Sequence, residues 1–278
     1  MLRVSKANGS IELYDRAKVL ATCLKLGADK ALASLVAERV ERHLYEGIPT
    51  RKILSLISRY LKQHRPMLGE RIDLKSALSL LRSKPDWERF VQLLFRELGY
   101  QADENQIIRG HCVDCEVDAI LRKGNEQILA EAKHHSDPHS RVDLDTCREV
   151  RAVVEDLADG YQKGLNNRQL TGSLIVSNTR FTPHALEYAL CRGIGCLGWN
   201  VPDGRGINTL VEQKQLYPLT MLYRLDPGIQ GKLGDAGIVL IKQLITTDLQ
   251  DIVDKTGVDR TRLQELSTSG WYIIHEDR

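Results

Sequence analysis

The sequence predicts an α/β core preceded by a small α+β unit and followed by a helical tail. Three observations carry this reading. Residues 2–63 begin with a β-like alternation and then switch to helical periodicity. Residues 86–199 alternate strand-like and helix-like segments, the pattern of a mixed sheet covered by helices. From about residue 215 the apolar spacing is helical again, in short stretches broken by glycine.

A chain of 278 residues is long enough for two or three compact units. It is 42% hydrophobic and 27% charged with only 8 prolines, the composition of a folded protein rather than a disordered one. No apolar run reaches the roughly 18–20 residues that span a bilayer, so no membrane role is expected. The start carries no charged-then-apolar leader, which predicts a cytoplasmic protein whose six cysteines stay reduced. Charge is uneven: residues 1–70 hold 13 Lys/Arg against 7 Asp/Glu, although the whole chain is only +2. A basic front unit suits a phosphate-bearing ligand, and equally a solvated coat on helices.

The elements follow in order. Asn8-Gly9 between two short β-like runs is a hairpin signal, because both residues tolerate positive φ. A helix begins after Asp15, with Val19, Leu20, Cys23, Leu24 and Leu26 on one face and Gly27 as its stop. A second covers about 30–45 through Leu32, Leu35, Val36, Val40 and Leu44. A third starts at Pro49-Thr50, where Thr50 can cap and Ile53, Leu54, Ile57 and Leu61 face inward. These make a front domain over 1–65. Pro66, Gly69 and Pro85 mark a joint at 66–85 containing a short helix.

The core domain is expected over 86–205. It opens with DWERFVQLLFRELGY, with Asp86 as N-cap, a stripe of Phe90, Val91, Leu94, Phe95 and Leu98, and Gly99 as the end. One strand is predicted at about 112–121 and another at 127–133, joined by a tight turn at Lys123-Gly124-Asn125. A helix over about 143–158, a buried strand over 172–178, a helix from Thr182 and a short strand over 194–199 complete it. The tail, 206–278, holds 8 basic and 10 acidic residues, which argues against it as the main DNA-gripping surface. Its Gly228-Ile229-Gln230 and Gly257-Val258-Asp259 faintly resemble helix-hairpin-helix elements, which hold a DNA backbone through amides.

The chemistry lies in the middle. Alternation along the first core strand puts Asp114, Glu116 and Asp118 on one face. Three acids together need a cation or a basic partner. On the second strand Glu131 and Lys133 share a face, and a hairpin would bring Asp118 to them. Two carboxylates can hold a hard cation such as Mg²⁺, with the Ala132 carbonyl as a further oxygen. The lysine can orient or deprotonate a water and offset charge on a phosphate. Taken bare, the same residues would also serve as a solvated strand face. A second acid-then-Glu-x-Lys pattern, Asp203 followed by Glu212-Gln213-Lys214, lacks a strand leading into a hairpin and is set aside.

The order helix, Asp-bearing strand, Glu-x-Lys strand, helix, strand, helix, strand resembles the PD-(D/E)xK nuclease core, and more narrowly the Mrr-type restriction endonucleases. The matching stretches are WERFVQLLFRELGY, VDAI, ILAEAK and LIVSNTRFTPHALEYALCRGIGCLGW, within roughly residues 86–200. The resemblance implies that Asp118 and Glu131, with Ala132, bind Mg²⁺ or Mn²⁺, that Lys133 serves the attacking water, and that Glu88 completes the site. It implies DNA as substrate, a role in restriction or defence, and a homodimer, since double-strand cleavage needs two active sites. The family usually has a Gly-rich, Asp-bearing turn where this chain reads GHCVDCEVD, and often Gln in place of Glu131. Asp114 and Glu116 are left without a role.

Residues 3–63 resemble the ATP-cone, a nucleotide-binding module, through Val4-x-Lys6, Asn8-Gly9, Glu12, Tyr14-Asp15, Lys18 and Gly47-Ile48-Pro49-Thr50. The resemblance implies ATP or dATP as a regulator, with Lys6 and Lys18 on phosphates and Val4, Glu12, Asp15 and Thr50 lining the rest of the pocket. Lys18 would also sit in the first turn of a helix, where free amides favour an anion. The competing function is a nucleotide-sensing nucleic-acid binder without catalysis.

Cys112-x-x-Cys115 with Cys191 and Cys196 permits a zinc reading. An odd separation on a strand, however, points Cys112 and Cys115 to opposite faces. His134, His135 and His139 follow Lys133 and read as an exposed loop bordering the site. Arg180 is a further candidate for a substrate phosphate.

Overall fold

A computed structural model of the chain describes residues 2–6, 10–64, 72–223 and 225–275. In the front unit, β1 (Arg3–Ser5) pairs antiparallel with β2 (Ile11–Leu13), as the hairpin pattern required. The Asn8-Gly9 turn lies outside the described residues, as do Pro66 and Gly69 of the joint. Helices α1 (Arg16–Lys25) and α2 (Lys30–Glu41) follow. A short β3 (Ile48–Pro49) then joins β1 in parallel, an addition that two residues of sequence could not announce. Helix α3 (Thr50–His64) closes the unit. Val4, Val36, Val40, Ile48, Ile57 and Leu61 form its own core. Leu24, Leu35 and Leu54, expected inside, are 44%, 37% and 49% exposed, because three short helices cannot enclose every leucine of a wide apolar stripe.

The core domain opens with α4 (Leu74–Ser79), a kinked turn at Ser83–Trp87 and α5 (Glu88–Glu97). Asp86 caps no helix. It is buried and accepts from the Arg82 guanidinium, Nε at 3.0 Å and Nη2 at 2.7 Å, so a buried ion pair takes the carboxylate that capping would have used. The predicted stripe of Phe90, Val91, Leu94 and Phe95 is buried.

The chain then forms β4 (Gln101–Asp103), β5 (Gln106–Arg109), β6 (Asp114–Val117), β7 (Ala119–Lys123) and β8 (Glu126–Lys133). The remaining elements are β9 (Arg141–Val142), α6 (Leu144–Gln162), β10 (Gly172–Ser177), β11 (Arg180–Phe181), α7 (Pro183–Arg192) and β12 (Ile194–Leu197). The sheet is mixed, in the order β12-β10-β8-β7-β4. Strands β8, β10 and β12 run parallel; β7 pairs antiparallel with β8, and β4 antiparallel with β7. Gly124, at φ 58°, and Asn125 turn β7 into β8. Glycine at the first turn position with φ above zero is the II′ choice for a two-residue hairpin.

One predicted strand becomes two. Residues 114–117 pair with β5 in a separate ribbon, whereas 119–123 pair with β8 and β4. The break falls at Asp118, whose Oδ2 accepts from the Ala132 N–H at 2.8 Å. Its carboxylate thus occupies a backbone donor on the neighbouring strand.

The tail carries α8 (Ile207–Lys214), α9 (Pro227–Asp235), α10 (Ile241–Thr246), α11 (Leu249–Thr256) and α12 (Arg260–His275). One apolar core runs through it and one face of the sheet: Trp87, Phe90, Leu94, Leu121 and Val176 cluster with Leu233, Ile241, Leu244 and Leu263. A second, made by Ile120, Leu129 and Ile175 with Val150, Leu157 and Ala185, fills the opposite face under α6 and α7. The sheet is therefore covered on both sides. Among the described residues no helix is long and apolar enough to cross a membrane.

Candidate active site

The antiparallel β7–β8 register sets Ala119 opposite Ala130, which places Asp118 beside Glu131. The two-residue period of β8 turns Glu131 and Lys133 to the same face. Burial and then the Asp118 charge push the Glu131 carboxyl up to about 7, with Lys133 opposing. Glu88, in the first turn of α5, reaches the same place. Burial raises its carboxyl, Lys84 opposes, and Asp118 adds to the rise. Ala132 enters the site by its N–H to Asp118. Asp118, Glu131, Lys133 and Glu88 are thus brought together from a strand break, a strand and a helix start.

Sequence reasoning missed Lys84. Its Nζ lies 2.7 Å from Glu116 Oε1, 3.0 Å from Glu88 Oε1 and 3.8 Å from Asp118 Oδ1. The Glu116 carboxylate first, then Glu88, holds the ammonium well above its ordinary range. The one signal was the spacing of four to Glu88, but Lys84 has an extended backbone (φ −128°, ψ 137°), so a non-helical turn rather than a regular helix makes the pair. Glu116 also accepts from Asn105 at 2.8 Å, and Asp114 pairs with Arg109 at 3.4 Å. The acids left without a role therefore have basic or amide partners.

The donor set suits a hard divalent cation, since Asp118, Glu131 and Glu88 offer carboxylate oxygens in a half-buried place that favours added positive charge. Among the described residues no three His, Cys, Asp or Glu side chains are already gathered as a metal cage. Lys84 supplies the balancing charge.

The histidines correct the expectation of an exposed loop. His134 is half-buried, with Nδ1 3.2 Å from Ser83 Oγ and Nε2 3.0 Å from the Leu78 carbonyl, and its ring leans on Trp87. His135 is tied to Asn178 and Thr179. These bonds dock α4 and the β10 end onto β8, and only His139 of the three is exposed. The second acid pattern is no site: Glu212 and Lys214 lie on α8. Cys112 is exposed and Cys115 buried, but Cys112 lies in the bend before β6 rather than on a strand as expected, so strand alternation does not relate the two.

The model of the restriction endonuclease family with the Mrr catalytic domain matches residues 82–195. An uncharacterized protein of Archaeoglobus fulgidus is 31% identical over 183 residues, 65% of this chain and 98% of the relative. The chain belongs to the Mrr-type restriction endonuclease family. A second uncharacterized protein of the same organism is 50% identical over 42 residues, 15% of this chain and 89% of its own length. The crystal structure of a protein of unknown function, AF1548, superposes with a TM-score of 0.60 at 28% identity, over 67% of this chain and 96% of that one. The Mrr-type match runs from Arg82 to Gly195 and so contains Lys84, Glu88, Asp118, Glu131 and Lys133. It stops short of the front unit and the tail.

In front of the Mrr-type domain, a cavity of about 140 Å³ is lined by Val4, Glu12, Asp15, Lys18 and Thr50 among others. Five of the six residues expected at a nucleotide thus line one cavity. The sixth, Lys6, is 2.8 Å from Glu12, and Lys18 is 3.0 Å from the same carboxylate. Asp15 spends Oδ1 on the N-terminus of α1, accepting from the Ala17 N–H at 2.8 Å. Tyr14, Ile53 and Leu54 supply the apolar lining.

Proposed function

We propose that this chain is a metal-dependent endodeoxyribonuclease that hydrolyses DNA phosphodiester bonds under the control of ATP or dATP, in restriction or defence. The observation that carries the catalytic reading is the meeting of Asp118, Glu131 and Lys133 across the β7–β8 pair inside a restriction endonuclease domain. Asp118, Glu131 and the Ala132 carbonyl would hold Mg²⁺ or Mn²⁺, with Glu88 behind them. The ion supplies Lewis acidity and a more acidic water.

The remaining chemistry is the chain's own. Asp118 gives Oδ2 to the Ala132 N–H, which fixes the carboxylate and leaves Oδ1 facing the site. Lys133, on the Glu131 face of β8, orients the attacking water and offsets charge building on the phosphate oxygens. Lys84 lies beside Asp118, and the ion pair of Arg82 with the buried Asp86 carboxylate braces the turn that carries Lys84. Two such sites, one from each copy of a homodimer, would cut both strands of a cytoplasmic DNA.

The regulatory reading is supported by the front cavity. At about 140 Å³ it is smaller than the roughly 300 Å³ of a typical small-molecule site. It would take the base, with the phosphates outside on Lys6 and Lys18. A second reading, a nucleotide-sensing nucleic-acid binder without catalysis, is favoured by one observation: Lys84 already neutralises the carboxylates that a metal would need.

Plasmid cleavage with Mg²⁺, with and without ATP or dATP, decides between them. Nicking or linearisation by wild type that is lost in Lys133→Ala supports the nuclease. Binding of DNA without cleavage of any plasmid, linear duplex or single strand supports the binder.

A further inference from the structure

Beyond the carboxylates, the loops that follow β8 and β10 build a second cavity of about 200 Å³, lined by Lys75, Pro138, His139, Ser140, Arg141 and Arg180. No carboxylate lines it. Among the described residues Arg141 and Arg180 make no ion pair, whereas Arg82, Arg89, Arg109, Arg122 and Arg148 each do. Arg141 and Arg180 are also direct cross-strand partners in the β9–β11 pair. Their neighbours Val142 and Phe181 are buried on the other face, which commits both guanidinium groups to the same open side. Like charges opposite one another on paired strands are destabilising, and an anion between them removes that cost.

The cavity is built rather than incidental. Lys75 stands on α4 with its ammonium 5.9 Å from the Trp199 ring centre. Asn178, fully buried, donates to Ser79 Oγ at 2.9 Å and to the His135 carbonyl at 2.8 Å, and accepts from the His135 N–H at 2.9 Å. This network joins α4, the loop after β8 and the loop after β10. It also ties them to the active face, because Ser177 is the sheet partner of Lys133. Arg180 is three residues beyond Ser177, a reach of about 11 Å at most. DNA presents one phosphate per roughly 3.4 Å of each strand, so the cavity lies within a few nucleotides of the reacting phosphate.

We propose that this cavity seats a backbone phosphate of the DNA strand neighbouring the one that is cut, with Arg141 and Arg180 as positioning residues and Lys75 and His139 completing the cradle. The assignment rests on the nuclease reading for the identity of its ligand. A phosphate held there fixes the register of the strand against Asp118 and Glu131 and carries no sequence information.

The test is binding of a fluorescein-labelled DNA duplex in EDTA, followed by anisotropy across a salt series, for wild type, Arg141→Gln/Arg180→Gln and Arg180→Lys. The double variant loses roughly tenfold or more in affinity, and its plot of log affinity against log salt becomes shallower by about two. Arg180→Lys keeps most of the affinity. In cleavage the double variant raises KM and leaves kcat nearly unchanged. Wild-type affinity and salt slope in the double variant would overturn the proposal, as would a wild type that fails to bind the duplex. A wild type that binds through these arginines yet cuts nothing overturns the nuclease reading and leaves the cavity standing. Thermal melting confirms that the exposed arginine variants are folded, and Arg180→Gln alone, with half the slope change expected, provides the same comparison if the double variant is not.

Discussion

Lys84 reaches Glu88 at 3.0 Å across a kinked turn, and the same ammonium touches Glu116 and approaches Asp118. A lysine and a divalent cation would answer the same need in this cluster, so they compete for it. Replacing Lys84 by Met removes the competitor. Mn²⁺ affinity measured by calorimetry should rise several-fold, while the metal-free variant melts below wild type. Unchanged Mn²⁺ affinity would show that Lys84 does not share the charge of the site. If the variant binds metal more tightly and still cuts nothing, the non-catalytic reading gains.

Glu131 carries its own pH dependence. Burial and Asp118 raise its folded pKa to about 7 from an ordinary 4.5. The folded state therefore holds a proton that the unfolded state has released between those values, and stability falls as pH rises through that window. Above about 7 the cost is constant, of order 3 kcal/mol at most. Glu131→Gln should accordingly stabilise the metal-free protein at pH 8 and change it little at pH 4, as read from denaturant unfolding. Metal binding has the opposite slope: Mn²⁺ affinity in wild type should increase with pH up to about 7, where Glu131 becomes ionised. A flat profile would place Glu131 outside the metal site.

The front cavity gives a third test. Lys6 and Lys18 share the Glu12 carboxylate, and pairing first with Lys6 and then with Lys18 holds that carboxyl below its usual range against the opposing effect of burial. Lys18→Ala should weaken ATP or dATP binding roughly tenfold, the scale of one charge-assisted contact. The check is titration calorimetry. Equal affinity in wild type and variant would remove Lys18 from the proposed nucleotide site.

The tail is tied to the Lys84 turn through Gly234. A Cβ there would collide with the Asp86 carboxylate and the Arg82 guanidinium, the buried pair beside the Lys84 turn. Gly234→Ala should cost about 1–3 kcal/mol, the scale of a disturbed charged hydrogen bond at a buried carboxylate whose arginine partner is 36% exposed. Urea unfolding measures it. A loss under 1 kcal/mol, within the range of ordinary surface changes and their neighbours, would mean that α9 shifts without disturbing Asp86.

Much of this was readable in the chain. Apolar spacing located α5 through Phe90, Val91, Leu94 and Phe95, and Gly124-Asn125 marked the β7–β8 turn. The two-residue period put Glu131 and Lys133 on one face without any coordinates. These are local properties: periodicity, turn chemistry and side-chain direction act within a few residues, so a sequence window contains them. The strand break at Asp118 was not local, because its cause is a backbone N–H fourteen residues away.

The sequence by itself determined the nuclease-like order of elements, the shared face of Glu131 and Lys133 on one strand, and five of the residues that line the front pocket. Tertiary structure alone decided the rest. It brought Lys84 to the carboxylates through a turn that is not helical, and made His134 and His135 a half-buried latch rather than an exposed loop. It also set Arg141 against Arg180. Each of these depends on distances between segments that only the packed chain fixes, and charge and burial at a site are sums over all the segments that meet there.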